Sequence, residues 1–222
     1  VIHLAASKTT GESMLNPIKY AENNVVGSLN LINQCIQHNV KVFIFSSSAA
    51  VYGKPRINPI NESHPKKPVN YYGFTKLTIE NHLRWYSLLC SLNFGILRYF
   101  NAAGYDIKKR IYGTEKNTGN LIPRIMEVAV GEKPFITVYG KTYNTRDGSA
   151  VRDYVHVSDL AKAHIKAYDY VFKRKKDLIL NLGSETGFSV FEVLQTVREI
   201  TNADIKYKIG EPRDGDVDKI IA

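Results

Sequence analysis

Residues 41–48, Lys-Val-Phe-Ile-Phe-Ser-Ser-Ser, decide the fold. Val42 to Phe45 leave no polar face, and a strand that is apolar on both sides needs cover on both sides, as in a parallel sheet flanked by helices. Residues 94–99 and 178–182 are two more short runs rich in Ile, Leu and Phe, and residues 1–6, Val-Ile-His-Leu-Ala-Ala, read as a further buried parallel strand. Between them the period changes: Val25, Leu29, Ile32 and Ile36 step by four, three and four, one apolar stripe of a helix on a sheet face. Ser189 with Glu192 spells a capping box for a helix running to about Ile200, and Ser158 is the expected N-cap of a helix over 159–172. Strands alternating with helices at this spacing predict an α/β fold, a doubly wound parallel sheet.

Composition narrows the function classes. The 222 residues carry 30 Lys+Arg against 21 Asp+Glu, a formal charge of +9, with 44% hydrophobic and 23% charged residues. This excludes disorder and low complexity, and no run approaches the ~18 apolar residues of a membrane span. Cys35 and Cys90 have no ligand spacing, so neither a disulfide scaffold nor a metal site is expected. The basic clusters Lys66-Lys67, Lys108-Lys109-Arg110 and Lys173 to Lys176 fall in or beside predicted loops without interleaved aromatics. They read as solvated surface rather than a nucleic-acid face, and an anionic small-molecule substrate is an equally economical reason for the positive field.

After Asn101 the composition shifts to Gly, Asn, Thr and charge as far as Arg152, interrupted by a short helix near 121–130 and a strand near 135–139. The expected organisation is a sheet domain over 1–101 and 152–184 and a smaller lobe over 102–151 and 185–222. The lobe covers a ligand at the carboxyl ends of the strands. Residues 1–6 begin inside a strand and 219–222 stop without a terminal signal, so a piece of a longer protein is expected.

Tyr72-Gly-Phe-Thr-Lys76 places a phenol and an ammonium four apart on one helix face. Chance alone supplies about two such pairs in a chain this rich in Tyr and base; Tyr105 with Lys109 and Tyr112 with Lys116 are two of them. Only Tyr72 follows a strand ending in Ser46-Ser47-Ser48, and a side chain at the carboxyl end of a central strand points into the ligand crevice. Ser48 and Tyr72 can meet there over one substrate hydroxyl. On these residues alone, a Ser-rich surface turn beside a packed tyrosine stands as the alternative. A phenol titrates near ~10, and a neighbouring ammonium favours the phenolate, so Lys76 is expected to help Tyr72 act as a base.

Residues 1–8, Asn23-Asn24-Val25, Phe45 to Gly53, Tyr72 to Lys76, Arg98-Tyr99-Phe100-Asn101 and Val151 to Val157 together resemble the extended short-chain dehydrogenase/reductase family, in order and at family spacing. Within it the chain looks like the members that invert C4 of UDP-hexoses. The resemblance implies a Rossmann-like NAD-binding domain over 1–101 and 152–184 whose Gly-rich first unit lies outside the chain. It implies NAD contacts from Ala5, Ala6, Lys8, Asn24, Ser46, Tyr72, Lys76 and Phe100, and catalysis by Tyr72, Lys76 and Ser48. A UDP-hexose would be held by Lys8, Ser48, Ala49, Ala50, Tyr72, Asn101, Asn120, Leu121, Thr137, Val138, Tyr139, Arg152, Arg213, Asp216 and Ile220. Arg152 and Arg213 suit a diphosphate, since guanidinium forks make bidentate contacts to it.

Sugar-nucleotide dehydratases of this family carry acids directly after the active-site Ser or Thr; here Ala49 and Ala50 stand there, which favours epimerisation. The expected activity is interconversion of UDP-glucose and UDP-galactose through a 4-keto sugar. A 4-epimerase of another UDP-sugar and a non-catalytic binding protein are the alternatives. The position that limits N-acetyl acceptance in the family falls, by ungapped counting, on Ile220, which predicts some activity on UDP-N-acetylglucosamine. The resemblance also implies a cytoplasmic homodimer paired through helices over 24–38 and 72–89; Leu83, Trp85, Leu88 and Leu89 give the second helix its apolar surface, some of it facing the partner and some covering the sheet, in a division the sequence does not set.

Overall fold

The computed structural model describes residues 1–111, 113, 119–213 and 216–222. Four parallel strands form the main sheet in the order β1 (Ile2–His3), β2 (Val42–Ser48), β3 (Asn93–Tyr99) and β7 (Leu178–Leu182). The register of β2 on β3 runs from Val42↔Asn93 to Ser48↔Tyr99, so the two strands end together at the same edge. The two apolar faces predicted for β2 have separate partners. Phe43 and Phe45 pack with Ile32, Cys35, Ile79 and Leu83 of helices α3 (Gly27–Gln37) and α4 (Tyr71–Cys90). Val42 and Ile44 pack with Ala167 and Val171 of helix α6 (Val157–Arg174) on the other face. The sheet is thus covered on both sides, as the absence of a polar face in residues 42–45 requires.

Three local expectations change. Residues 1–6 are not one strand: the ladder to β2 covers only Ile2 and His3, and Leu4 is 62% exposed. The helix begun at Asn24 is instead α1 (Thr10–Leu15), α2 (Pro17–Tyr20), a π-helical turn over Ala21–Val26, and then α3. Ser158 does not cap α6; its N-cap is His156, whose Nδ1 accepts from the Ser158 backbone N–H at 3.1 Å. An imidazole nitrogen in acceptor form does what the missing hydroxyl would have done. The capping box of Ser189 and Glu192 forms as expected at the head of α7 (Val190–Thr201).

A second core lies between α5 (Leu121–Ala129), α7 and the parallel pair β5 (Ile136–Tyr139) and β9 (Tyr207–Gly210), filled by Ile125, Val128, Ile136, Val138, Leu194 and Ile205. Between the two cores runs a sheet of β4 (Asn101–Ala103), β6 (Val151–His156) and β10 (Lys219–Ile220), with β8 (Gly187–Ser189) antiparallel on β6. It draws strands from both predicted parts of the chain. Among the described residues no helix is long and apolar enough to cross a membrane.

Candidate active site

The carboxyl ends of β2 and β3 meet the first turn of α4. Ser48 is the last residue of β2, and its hydroxyl caps the 3₁₀ turn Ala49–Tyr52 by accepting from the Ala50 N–H at 3.2 Å. The Tyr72 phenol stands beside Ser48, close enough for that hydroxyl to favour its ionised form. One turn along α4, the ammonium of Lys76 is buried; it donates to the Ser46 carbonyl at 2.8 Å and sits 4.9 Å from the Phe45 ring centroid and 5.8 Å from that of Tyr72.

The electrostatics depart from the expectation. Burial pushes the Tyr72 phenol above its ordinary value, and the Ser48 hydrogen bond opposes that rise without cancelling it. Lys76 does not depress it: the ammonium is itself desolvated, which draws its pKa down to about 8. Burial wins because no carboxylate lies against the ammonium to hold its charge.

Local packing sets this geometry. The side chain of Asn70 caps α4 by accepting from the Gly73 N–H at 2.8 Å. A Cβ on Gly73 would stand 2.5 Å from the Ala50 carbonyl oxygen, so the helix and the Ser48 turn touch backbone to backbone. The Tyr72 N–H donates to the Ser13 hydroxyl at 3.0 Å. Asn24, in the middle of the π turn, is buried; its Oδ1 accepts from the Ser7 N–H at 2.8 Å, and its Nδ2 donates to the Ser7 carbonyl at 2.9 Å and to Thr75 at 3.2 Å. The Asn24 amide thereby fixes the loop that carries Ala5, Ala6 and Lys8 against α4. A π turn that re-aims one polar side chain is a common device at functional sites.

Sequence reasoning missed two supports. Arg98 is fully buried in β3 and forks onto Glu80 of α4, Nε to Oε1 at 2.9 Å and an NH2 group to Oε2 at 2.6 Å, while Ser47 donates to the same carboxylate at 2.6 Å. The pair clamps α4 to the strand ends on which Ser46 and Ser48 stand. Tyr99, paired with Ser48 in register, hydrogen-bonds Ser46 and His164, and burial pushes its phenol up to about 12. The motif Arg98-Tyr99 signals both residues, but their partners come from remote elements.

The predicted diphosphate residues also converge. Arg152 and Arg213 each reach Asp216 at 3.4 Å, and the Arg213 guanidinium lies 4.4 Å from the Tyr139 ring centroid. Asn101 donates to the Asp153 carbonyl at 3.1 Å. The Val138 side chain is buried in the second core. Asn120 occupies the N-cap position of α5 without a side-chain capping bond, and Leu121 begins the helix. Ala49 and Phe100 are buried together, with Ile220 packed against them. Tyr105 is exposed in an irregular segment, and Tyr112 and Lys116 lie outside the described residues.

Small residues (Ala5, Ala6, Ser46, Ser48) stand at or just beyond the carboxyl ends of β1 and β2, and the buried Lys76 ammonium stands beside them, a lining whose chemistry suits a nicotinamide dinucleotide. A model described as the NAD dependent epimerase/dehydratase family matches residues 1–183. A UDP-glucose 4-epimerase of Halalkalibacterium halodurans is 44% identical over 222 residues, covering 100% of this chain and 66% of its own. The crystal structure of a Brucella ovis UDP-glucose 4-epimerase in complex with NAD superposes with a TM-score of 0.95 at 39% identity, covering 100% of this chain and 68% of that one. That of Bifidobacterium longum, in complex with NAD+ and UDP, gives 0.93 at 40% identity, covering 100% and 67%. The chain spans about two thirds of the length of the curated relatives it matches.

Proposed function

The chain belongs to the NAD dependent epimerase/dehydratase family, and from that premise we propose that it serves an isomerase that interconverts UDP-glucose and UDP-galactose by inversion at C4. The observation that carries this is the Tyr72 phenol beside Ser48 at the strand ends, with Lys76 buried one turn behind it and bonded to the Ser46 carbonyl. NAD, when bound, takes up and returns the hydride of C4. Tyr72, as the phenolate that Ser48 stabilises by donating to it, takes the C4 hydroxyl proton and becomes the neutral phenol. Lys76 holds the Ser46 strand end and adds positive charge whenever it is protonated. Arg152 and Arg213 bind the diphosphate, while Ala5, Ala6, Lys8, Asn24 and Phe100 line the NAD side. The hexose, held less firmly than the nucleotide, turns its other face before Tyr72 returns the proton.

Elimination has no acid to drive it, because Ala49 is buried against Phe100 and Ala50 offers only a methyl group. We assign the sheet domain to the cofactor and the α5–α7 lobe to the sugar nucleotide, and place the working enzyme in the cytoplasm as a homodimer. Conversion of UDP-galactose by the full chain with no added oxidant or reductant, abolished at least ~10²-fold in Tyr72→Phe, is the expected result. An unchanged Tyr72→Phe rate overturns the assignment of the base.

A broader sugar range has one observation behind it. Ile220 pairs with Arg152 in register and packs beside Ala49 and Phe100, so its side chain borders the site with neither a tyrosine's reach nor an alanine's clearance. UDP-N-acetylglucosamine is therefore turned over more slowly than UDP-glucose; no acetylated product from the active enzyme counts against this.

A further inference from the structure

Among the described residues, the hydroxyl of Tyr143 is the one buried side-chain polar atom without a hydrogen-bond partner. Its place is fixed. The ring lies over Gly140, whose φ of +78° and missing side chain admit it: a Cβ there would meet Cε2 at 2.4 Å, Cζ at 2.9 Å and the hydroxyl oxygen at 3.1 Å. The Tyr143 N–H donates to the Gly148 carbonyl at 3.0 Å, closing the loop behind it. Gly140 follows Tyr139, whose ring lies 4.4 Å from the Arg213 guanidinium, and Asp216, Arg152, Arg213 and Asp218 are the charges near enough to act on the phenol, so the hydroxyl lies beside the predicted diphosphate residues.

An unpaired buried O–H costs more free energy than an ordinary hydrogen bond returns, and such a group persists where a partner completes it. The phenol stays protonated here, since burial pushes its pKa up, and it is therefore a donor. The two guanidiniums share the Asp216 carboxylate through 3.4 Å contacts, and Arg152 also donates to the Val151 and Asp218 carbonyls at 3.0 and 3.5 Å, which leaves N–H groups of both arginines for another acceptor. Two guanidiniums on one carboxylate, with an unpaired phenolic O–H beside them, call for an anionic acceptor with several oxygens.

We propose that Tyr143 donates a hydrogen bond to the diphosphate of the sugar nucleotide, as a third binding group beside Arg152 and Arg213. The assignment rests on the UDP-hexose reading above. It gives the loop 140–148 a role in gripping the nucleotide while the hexose turns.

The test is Tyr143→Phe in the full chain, which keeps the ring and removes only the hydroxyl. UDP should bind about ten- to a hundredfold more weakly, as expected for a hydrogen bond to a charged group. KM for UDP-galactose should rise with it, kcat should change little, and competition by uridine, which has no phosphate, should be unchanged. The thermal midpoint should hold or rise, because the lost hydroxyl has no partner in the fold. Unchanged UDP affinity, equal losses for UDP and uridine, or a lowered midpoint overturns the proposal. Wild-type protein that does not bind UDP at all removes the UDP-hexose reading itself, and the Tyr143 assignment with it.

Discussion

At the position of the base, burial and hydrogen bonding pull in opposite directions. A phenolate at Tyr72 needs stabilising, yet burial favours the neutral form, and of the chain's own groups Ser48 supplies the opposing hydrogen bond. Activity that depends on the phenolate therefore climbs with pH below the phenol pKa, because the ionised fraction grows tenfold per unit. Replacing Ser48 by Ala removes the contact that lowers the pKa, so the rising limb of kcat/KM moves to higher pH and the rate at neutral pH falls of order tenfold. A pH profile of the two proteins checks this; a limb that stays in place assigns Ser48 to the sugar alone. The pairing of Tyr72 with Ser48 was legible from the strand end and the helix start, because a side chain's position at the end of a parallel strand follows from the period. The direction of the pKa shift was not, since it depends on how much water the fold removes from Lys76, and no local pattern encodes that.

Among the elements, α4 carries most of the site and its placement depends on a single glycine. Gly73 has an ordinary helical backbone, so no turn rule marks it; its need for a hydrogen side chain comes from the Ala50 carbonyl across the gap. That contact brings Tyr72 to Ser48, with the Arg98–Glu80 fork holding the helix from below. Gly73→Ala must push α4 away from the turn, since both atoms at risk are backbone. The expected cost is about 1–3 kcal/mol of stability, and kcat should fall more than the affinity for UDP, which is bound elsewhere. Chemical denaturation alongside steady-state kinetics tests the pair; full kcat in Gly73→Ala means the gap is not what positions the base. The capping box of α7 was readable because its two residues lie three apart. The His156 cap, the π turn and the Gly73 contact were not, because each depends on a partner or a strain that sequence spacing does not carry.

In the whole molecule, one surface remains unexplained by the site. The four apolar residues of α4 divide between sheet and surface: Leu83 is fully buried in the sheet core, whereas Trp85, Leu88 and Leu89 are 62%, 74% and 71% exposed. Burying Leu83 and Ile79 against the sheet turns the next stripe of the helix outward, so the same 20 residues serve two surfaces. A two-fold pairing through this stripe places each residue near its own copy, and opposed apolar side chains then exclude water together. Aromatic and leucine contacts of this kind are insensitive to salt and intolerant of charge. Leu88→Glu with Leu89→Glu brings two carboxylates from each chain to the axis, and desolvating four like charges outweighs the remaining contact. Sedimentation of the full chain should give twice the chain mass for the wild type at both low and high salt, and the single mass for the double variant. UDP affinity should be retained, since neither substituted leucine is among the residues assigned to the diphosphate. A wild type that sediments as one chain at working concentration removes the pairing and leaves the stripe without a partner.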